Sequence, residues 1–362
     1  MFLSVTLPAL PTGYNYCELV GRAIIKKAEL IIDGYVIESL EDDWYILRDQ
    51  LFLNADEKLS MYQNISAGQA ESNVVPATTQ VNLMVPLDFF FCRYKREQKN
   101  PYLPLCAINK SSIAVRLTFN TQAWITNYKA TRIDLINPKL ILQGISLTPE
   151  EVLYYKNTKL EFKIPIAQKE AVQTYSNGVV RMNLTADFNV SMLVWFVRNQ
   201  LYESSADPAY YASRYTYGYN TDYIVSAIPL KFFNGVTQNF VDIIKSATLF
   251  IDNQNVLTNF PGALYYSYKQ PFEHGMTIPT KNVYLYCFGD NPSEYSQDGI
   301  IDFSKLNSRS TYIDMTFDPT LSAQISQNYN MYLYYYGYTT LTIQGGRLKS
   351  DRKKQYKLYL QL

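Results

Sequence analysis

Polar and apolar residues alternate without a fault from Met182 to Met192 (MNLTADFNVSM), with apolar side chains at Met182, Leu184, Ala186, Phe188, Val190 and Met192. A period of two puts every second side chain on one face, which predicts a half-buried strand of an antiparallel sheet. Ile113–Phe119 (IAVRLTF) and Thr311–Phe317 (TYIDMTF) read the same way. Helical periodicity of more than two turns is hard to find, and Pro and Gly punctuate the strands at short intervals. That combination favours a sandwich or barrel over alternating strand and helix units. One short helix is expected at Thr148-Pro149-Glu150-Glu151, ahead of Val152–Tyr155. The stretch supplies a capping side chain, a proline at the first helical position and an acid three residues after the cap. It falls near mid-chain, where a connector between two halves would lie.

The chain also repeats itself. Ile24–Gly34 (IIKKAELIIDG) and Ile243–Asn253 (IIKSATLFIDN) are identical at seven of eleven positions at an offset of 219. Val85-Pro86 ahead of Phe89–Cys92 is echoed by Ile278-Pro279 ahead of Tyr284–Cys287, and IAVRLTF by TYIDMTF, in the same order. Leu7-Pro8-Ala9 pairs with Ile228-Pro229-Leu230. Two similar β units therefore follow one another, the first with a longer internal connection at Asn54–Gln80. Moved back by the same offset, Met182–Met192 would fall before Met1. The expectation is that the first unit lacks a partner for this strand and is N-terminally incomplete, so that something covers the sheet edge left behind. A preceding segment, a strand from a neighbouring subunit and the C-terminal tail folding back are the three choices.

Composition narrows the chemistry. The 362 residues are 47% apolar, 15% aromatic and only 18% charged, with 33 Tyr, which suggests much surface facing other protein. Thirty-three basic against 32 acidic residues leave a net charge of +1, giving no global field for nucleic acid or an anionic membrane. His274 is the single histidine, so a multi-His metal site cannot be built within one chain, and a hydrolase triad would have to run through that ring. Cys17, Cys92, Cys106 and Cys287 form no C-x-x-C pair and read as reduced, buried thiols. No apolar stretch approaches a membrane span, no signal peptide is visible, and no nucleotide-binding or nucleophile-elbow motif occurs. Asp42-Asp43 and Glu150-Glu151 are paired carboxylates in loop and cap contexts that nothing places across a cleft.

The ordered set Arg22–Trp44, Val85–Ala107, Leu193–Val197 (LVWFV), Gln270–Phe303 and Asn328–Gly346 resembles the double jelly-roll major capsid proteins of the nucleocytoplasmic large DNA viruses, over almost the whole chain. The resemblance implies an all-β fold of two tandem eight-stranded jelly-roll sandwiches joined by a short helix. On that plan residues 1–148 are the first roll, N-terminally incomplete, 149–158 the helical connector, 159–346 the second roll and 347–362 a basic tail. It further implies a non-enzymatic structural subunit of an icosahedral capsid, without cofactor or metal, located in the virion and assembled inside the host cell in the cytoplasm. Partners would be itself, as a homotrimer forming pseudo-hexagonal capsomers, neighbouring capsomers and minor capsid proteins, with no specific nucleic acid and no transmembrane segment. A minor or scaffolding double jelly-roll virion protein is the rival within the class. Family members carry first-roll material ahead of the stretch similar to Phe2–Leu10, and their pattern closes near Gly345-Gly346.

Three further features carry candidate sites. Tyr210, Tyr211, Tyr215, Tyr217 and Tyr219 lie in the tyrosine-rich stretch Tyr202–Tyr223. Stiff amphipathic rings of this kind suit a subunit interface, a glycan platform, or a loop folded over its own rolls. The glycan platform would make the protein a glycan-binding β-sandwich module. Asn64, Asn109, Asn183 and Asn189 each begin an N-x-[ST] glycosylation sequon, the last two on the polar face of one expected strand. The tail Arg347–Leu362 holds six basic residues and one acid, and reads as a solvated terminal strand or a phosphate-facing arm.

Overall fold

A computed structural model describes residues 1–69, 71, 73–92, 102–128, 133–175, 178–200, 203, 214, 215, 217, 219, 220, 240, 241, 243–290, 299–318 and 329–350. The first unit contributes β1 (Phe2–Leu7), β2 (Ile25–Ile32), β3 (Tyr35–Glu41), β4 (Val81–Pro86), β5 (Ile113–Phe119) and β6 (Ile136–Ile141). These form two three-stranded sheets, β4-β1-β6 and β3-β2-β5. The second unit contributes β7 (Leu160–Lys169), β8 (Gln173–Tyr175), β9 (Val179–Asn183), β10 (Asn189–Asn199), β11 (Ile244–Ile251) and β12 (Gln254–Pro261). It continues with β13 (Tyr284–Cys287), β14 (Tyr312–Phe317), β15 (Tyr329–Gln344) and β16 (Arg347–Ser350). Its sheets run β8-β15-β10-β13, with β7 and β16 also on β15, and β9-β14-β11-β12.

The repeated peptides become matching hairpins. β2 and β11 share one burial pattern over their first seven residues, and each pairs antiparallel with the following strand. The turns between them, Asp33-Gly34 and Asp252-Asn253, hold both central residues at positive φ, which is what a two-residue hairpin turn requires and what Asp, Asn and Gly tolerate. A bulge recurs at the same point: Ile25 faces Phe119 and Lys27 faces Thr118, as Ile244 faces Phe317 and Ser246 faces Thr316. Between β2 and β5 and between β11 and β14 the register thus repeats to the residue, which two unrelated sandwiches would not do.

Several expectations are corrected. Met182–Met192 is two strands rather than one, β9 and β10, with Leu184–Phe188 crossing between the sheets. The alternation survives because Leu184, Ala186 and Phe188 still point into the core as the chain crosses. β10 also has a first-unit counterpart: β1 sits between β4 and β6 as β10 sits between β13 and β15. The fixed offset misplaced it because residues 8–24 join β1 to β2 whereas 200–243 join β10 to β11. The strands without a counterpart among the described residues of the first unit are β7, β8, β9 and β16. Phe89–Cys92 does not match Tyr284–Cys287: Phe90–Cys92 is a 3-10 turn, and β4 holds the place of β13. Ile228-Pro229-Leu230 lies outside the described residues.

Helix is the larger omission. α1 (Asp42–Phe52) and α2 (Ala55–Ile65) run three turns each between β3 and β4. Every residue of α1 is buried, so it has no solvent-facing side to set an amphipathic period that could be read. α2 announces itself through Asn54 and Glu57, whose side chains cap each other's backbone N–H groups. α3 (Pro149–Asn157) lies where the cap predicts, with Thr148 and Glu151 completing the same reciprocal box. β16 continues the second unit's pairing past Gly346, with Arg347 opposite Gln344 and Ser350 opposite Leu341.

Candidate functional site

The two units meet along a seam built on α1. Its first turn places Asp42 and Asp43 at the positive end of the helix dipole. Arg198, which follows the apolar run LVWFV at the end of β10, pairs with Asp43 while both side chains are almost fully buried, and reaches Glu203 at 3.1 Å. Tyr217 donates its hydroxyl to Asp43 at 3.0 Å, and its ring lies against the Arg198 guanidinium. Tyr215 donates to Asp42 at 3.2 Å and accepts from the Trp124 indole N–H at 3.0 Å. Asn120 donates to the same carboxylate at 2.9 Å. Burial first, and the Asp43 charge second, push the Asp42 carboxyl up to about 7.

Further along α1, Arg22 bonds Asp49 at 2.8 Å and Asp88 at 2.9 Å, with Arg48 3.3 Å from Asp88. Gln50 accepts from the Thr280 N–H and hydroxyl at 2.8 and 2.9 Å. Lys281 lies 3.5 Å from Glu18 and 3.8 Å from Glu71. Burial raises Glu18 to about 7, with the Lys281 charge opposing the shift. The opposite side of α1 is apolar: Trp44 stacks on Tyr336 at 5.5 Å and Phe52 meets the same ring at 5.4 Å. One continuous apolar core runs through both units. Charged groups removed from water demand partners at fixed positions, so the seam fixes one relative placement of the units.

The candidate tyrosines divide. Tyr215 and Tyr217 are turned into the seam, which corrects the expectation of an external interface for these two. Their phenol groups supply donors that the two aspartates require. Tyr219 pairs with Val241 in a two-residue ladder, and Tyr210 and Tyr211 lie outside the described residues. Trp44 and Trp195 are buried and Trp124 half-buried, so no tryptophan is an open stacking platform. Asn64, Asn109, Asn183 and Asn189 are all exposed. Asn64 sits in the last turn of α2, and Asn183 and Asn189 belong to strands of opposite sheets, not to one face. His274 bonds the Asp290 carbonyl at 3.0 Å in a loop, and Cys17 is buried, its thiol pushed up to about 12 by desolvation. The Asp42-Asp43 pair is buried in the first turn of α1.

Sequence reading missed the seam because its partners are far apart in the chain. The one local signal was Arg198 directly after five apolar residues, a charge at the end of a buried strand. Outward-facing apolar residues occur on both units: Leu140, Ile141, Leu142, Ile145, Leu153 and Tyr154 on the first and its connector, and Leu264, Tyr268 and Phe272 on the second. Tyr268 and Phe272 stack nearly parallel at 6.0 Å. Apolar surface of this extent suits contact with other protein.

Two family comparisons fit this arrangement. The family described as large eukaryotic DNA virus major capsid protein matches residues 151–346, and major capsid protein N-terminus matches 1–180. The chain belongs to this capsid protein family. Its members are structural, non-enzymatic proteins of the large DNA virus capsid. PBCV-1 VP54, in a crystal structure fitted into a reconstruction of the virophage Sputnik, is similar with a TM-score of 0.72 at 16% identity, over 98% of this chain and 90% of that one. The Faustovirus major capsid protein gives 0.69 at 13% identity, over 95% and 85%. These likenesses show the double jelly-roll fold. Probable capsid protein 4 of Acanthamoeba polyphaga mimivirus is 31% identical over 109 residues, 30% of this chain. That match spans a fifth of the relative's length.

Proposed function

We propose that this capsid protein is a shell subunit of an icosahedral virion, three copies packing as a pseudo-hexagonal capsomer whose six corners are the six β units. The observation that carries the reading is the residue-level repeat of strand plan and bulge in two units locked through a buried seam. Three rigid two-unit blocks around a threefold axis present six similar faces, and neighbouring capsomers can then contact near-equivalent surfaces. The exposed leucines and aromatics of both units supply apolar area for those contacts. On this reading residues 1–148 and 159–346 are the two rolls, α3 lies in the connector 149–158, and 347–362 is the tail. The partners are further copies and minor capsid proteins, and assembly takes place in the host cytoplasm. Mass photometry of the purified chain is expected to give trimers of the 41.8 kDa subunit; monomer alone across micromolar concentrations would overturn the proposal.

A second reading, a minor or scaffolding virion protein, is favoured by the three-stranded sheets of the first unit. Quantitative mass spectrometry of purified particles separates the two, since a shell subunit is present at the highest copy number. A glycan-binding module has less support, because Tyr215 and Tyr217 are buried.

A further inference from the structure

Arg22, Arg48 and Arg198 are buried cations that keep their protons in any protein environment. Lys281 differs, because an amine can give its proton up. It lies just ahead of β13 in the second unit, with its side chain 3% exposed. Its Nζ stands 3.5 Å from Oε2 of Glu18, a side chain 1% exposed in the connection between β1 and β2 of the first unit. Taken out of water, an amine and a carboxyl both favour their neutral forms, and these are the forms that react with each other.

The surroundings organise the pair for condensation. The Tyr215 backbone N–H donates to Oε1 of Glu18 at 3.1 Å, where the negative charge of a tetrahedral intermediate would collect. Oε1 of Glu71 is 3.8 Å from the Lys281 nitrogen, on hand as a proton carrier. Glu71 is itself fixed, since the Thr280 hydroxyl donates to its Oε2 at 2.8 Å and the Gln50 amide donates to its Oε1. Burial, which raises the Glu18 carboxyl to about 7, favours the acid from which water can leave. Groups held in such an arrangement react as if each were present at about 10⁵–10⁸ M, which offsets the cost of forming an amide beside bulk water.

We infer that Lys281 and Glu18 condense into an isopeptide bond that cross-links the two units of one chain. The Lys281 nitrogen bonds to Cδ of Glu18, and the bond from Cδ to Oε2 breaks. Of the three ammonium protons one stays on the amide nitrogen. Glu71 passes the other two to Oε2, which leaves as water, and Glu71 ends ionised as it began. Oε1 becomes the amide oxygen, still facing the Tyr215 N–H. The balance calls for no oxidant and no co-reactant. The link joins positions 263 residues apart, and closing so long a loop restricts the unfolded chain. It forms within a single chain and is independent of how copies assemble. Glu18 titrates only in chains that have yet to condense, so in the linked chain the response near pH 7 belongs to Asp42.

Intact mass of the full chain, purified and then denatured, tests this. The expected mass is that of the sequence less one water, and digestion should release a branched peptide carrying Glu18 and Lys281, located by tandem mass spectrometry. Lys281→Arg keeps the buried charge but cannot condense, and should restore the full mass. Glu71→Gln removes the proton carrier and should leave most of the chain at full mass. A native chain at the full mass of its sequence overturns the proposal, whatever the variants do. So does a loss of water that persists in Lys281→Arg or maps to other residues, and complete condensation in Glu71→Gln overturns the role given to Glu71.

Discussion

Arg198 holds the seam together at a single side chain. Its guanidinium is enclosed with Asp43 and Glu203 and flanked by the Tyr217 and Tyr332 rings. Arg198→Met keeps much of the volume but leaves the Asp43 carboxylate buried without its cation, which costs about 3–5 kcal/mol. Urea unfolding should register that loss, and adding Asp43→Asn should restore most of it, since a buried pair replaced as a whole is close to neutral. The carboxyls of Asp42 and Glu18, raised to about 7, set a pH dependence of defined sign. From their ordinary values of 3.8 and 4.5 up to about 7, the folded state binds more protons than the unfolded one, so stability falls as pH rises through that window. Denaturation series between pH 4 and 8 should show the decline, and Asp42→Asn should make it shallower. None of these pairings was legible in the sequence, where Asp42, Glu18, Tyr215 and Lys281 are separated by long stretches of chain.

At the scale of elements, the close crossing of β10 and β15 depends on Gly337. A Cβ there would stand 1.9 Å from the Asn189 carbonyl oxygen, a backbone atom that cannot swing aside. Gly337→Ala should therefore lower the melting temperature by an overpacking penalty of about 1–3 kcal/mol or more, read by calorimetry. Thr148→Ala removes one half of a capping box and should cost about 1 kcal/mol locally. Because no residue of α3 is buried, that loss should show as faster amide exchange in Glu150–Asn157 rather than in the sheets. The contrast explains what could be read in advance. α3 and the hairpin of Ile24–Gly34 carry their instructions in adjacent residues, a cap and a two-residue turn. α1 carries none, since a helix buried on every side has no period, and Met182–Met192 kept its alternation through a change of sheet. The echo at Phe89–Cys92 failed because Pro86 closes β4, and the aromatics after it pack as a turn.

At the scale of the whole molecule, the continuous core predicts one cooperative transition. Scanning calorimetry should give a single peak with equal calorimetric and van't Hoff enthalpies, where two independent rolls would give two. The Arg198→Met chain is the informative comparison: weakening the seam should begin to separate the peaks before either roll melts on its own. The wholly buried α1 has a mechanical meaning as well. It is a dowel, glued on one side by ion pairs and on the other by Trp44 and Phe52, and it leaves the two rolls no hinge. Any curved surface tiled with such blocks must bend at the joints between them, so the angle between neighbours is set by the outward-facing residues and the body of the tile stays flat.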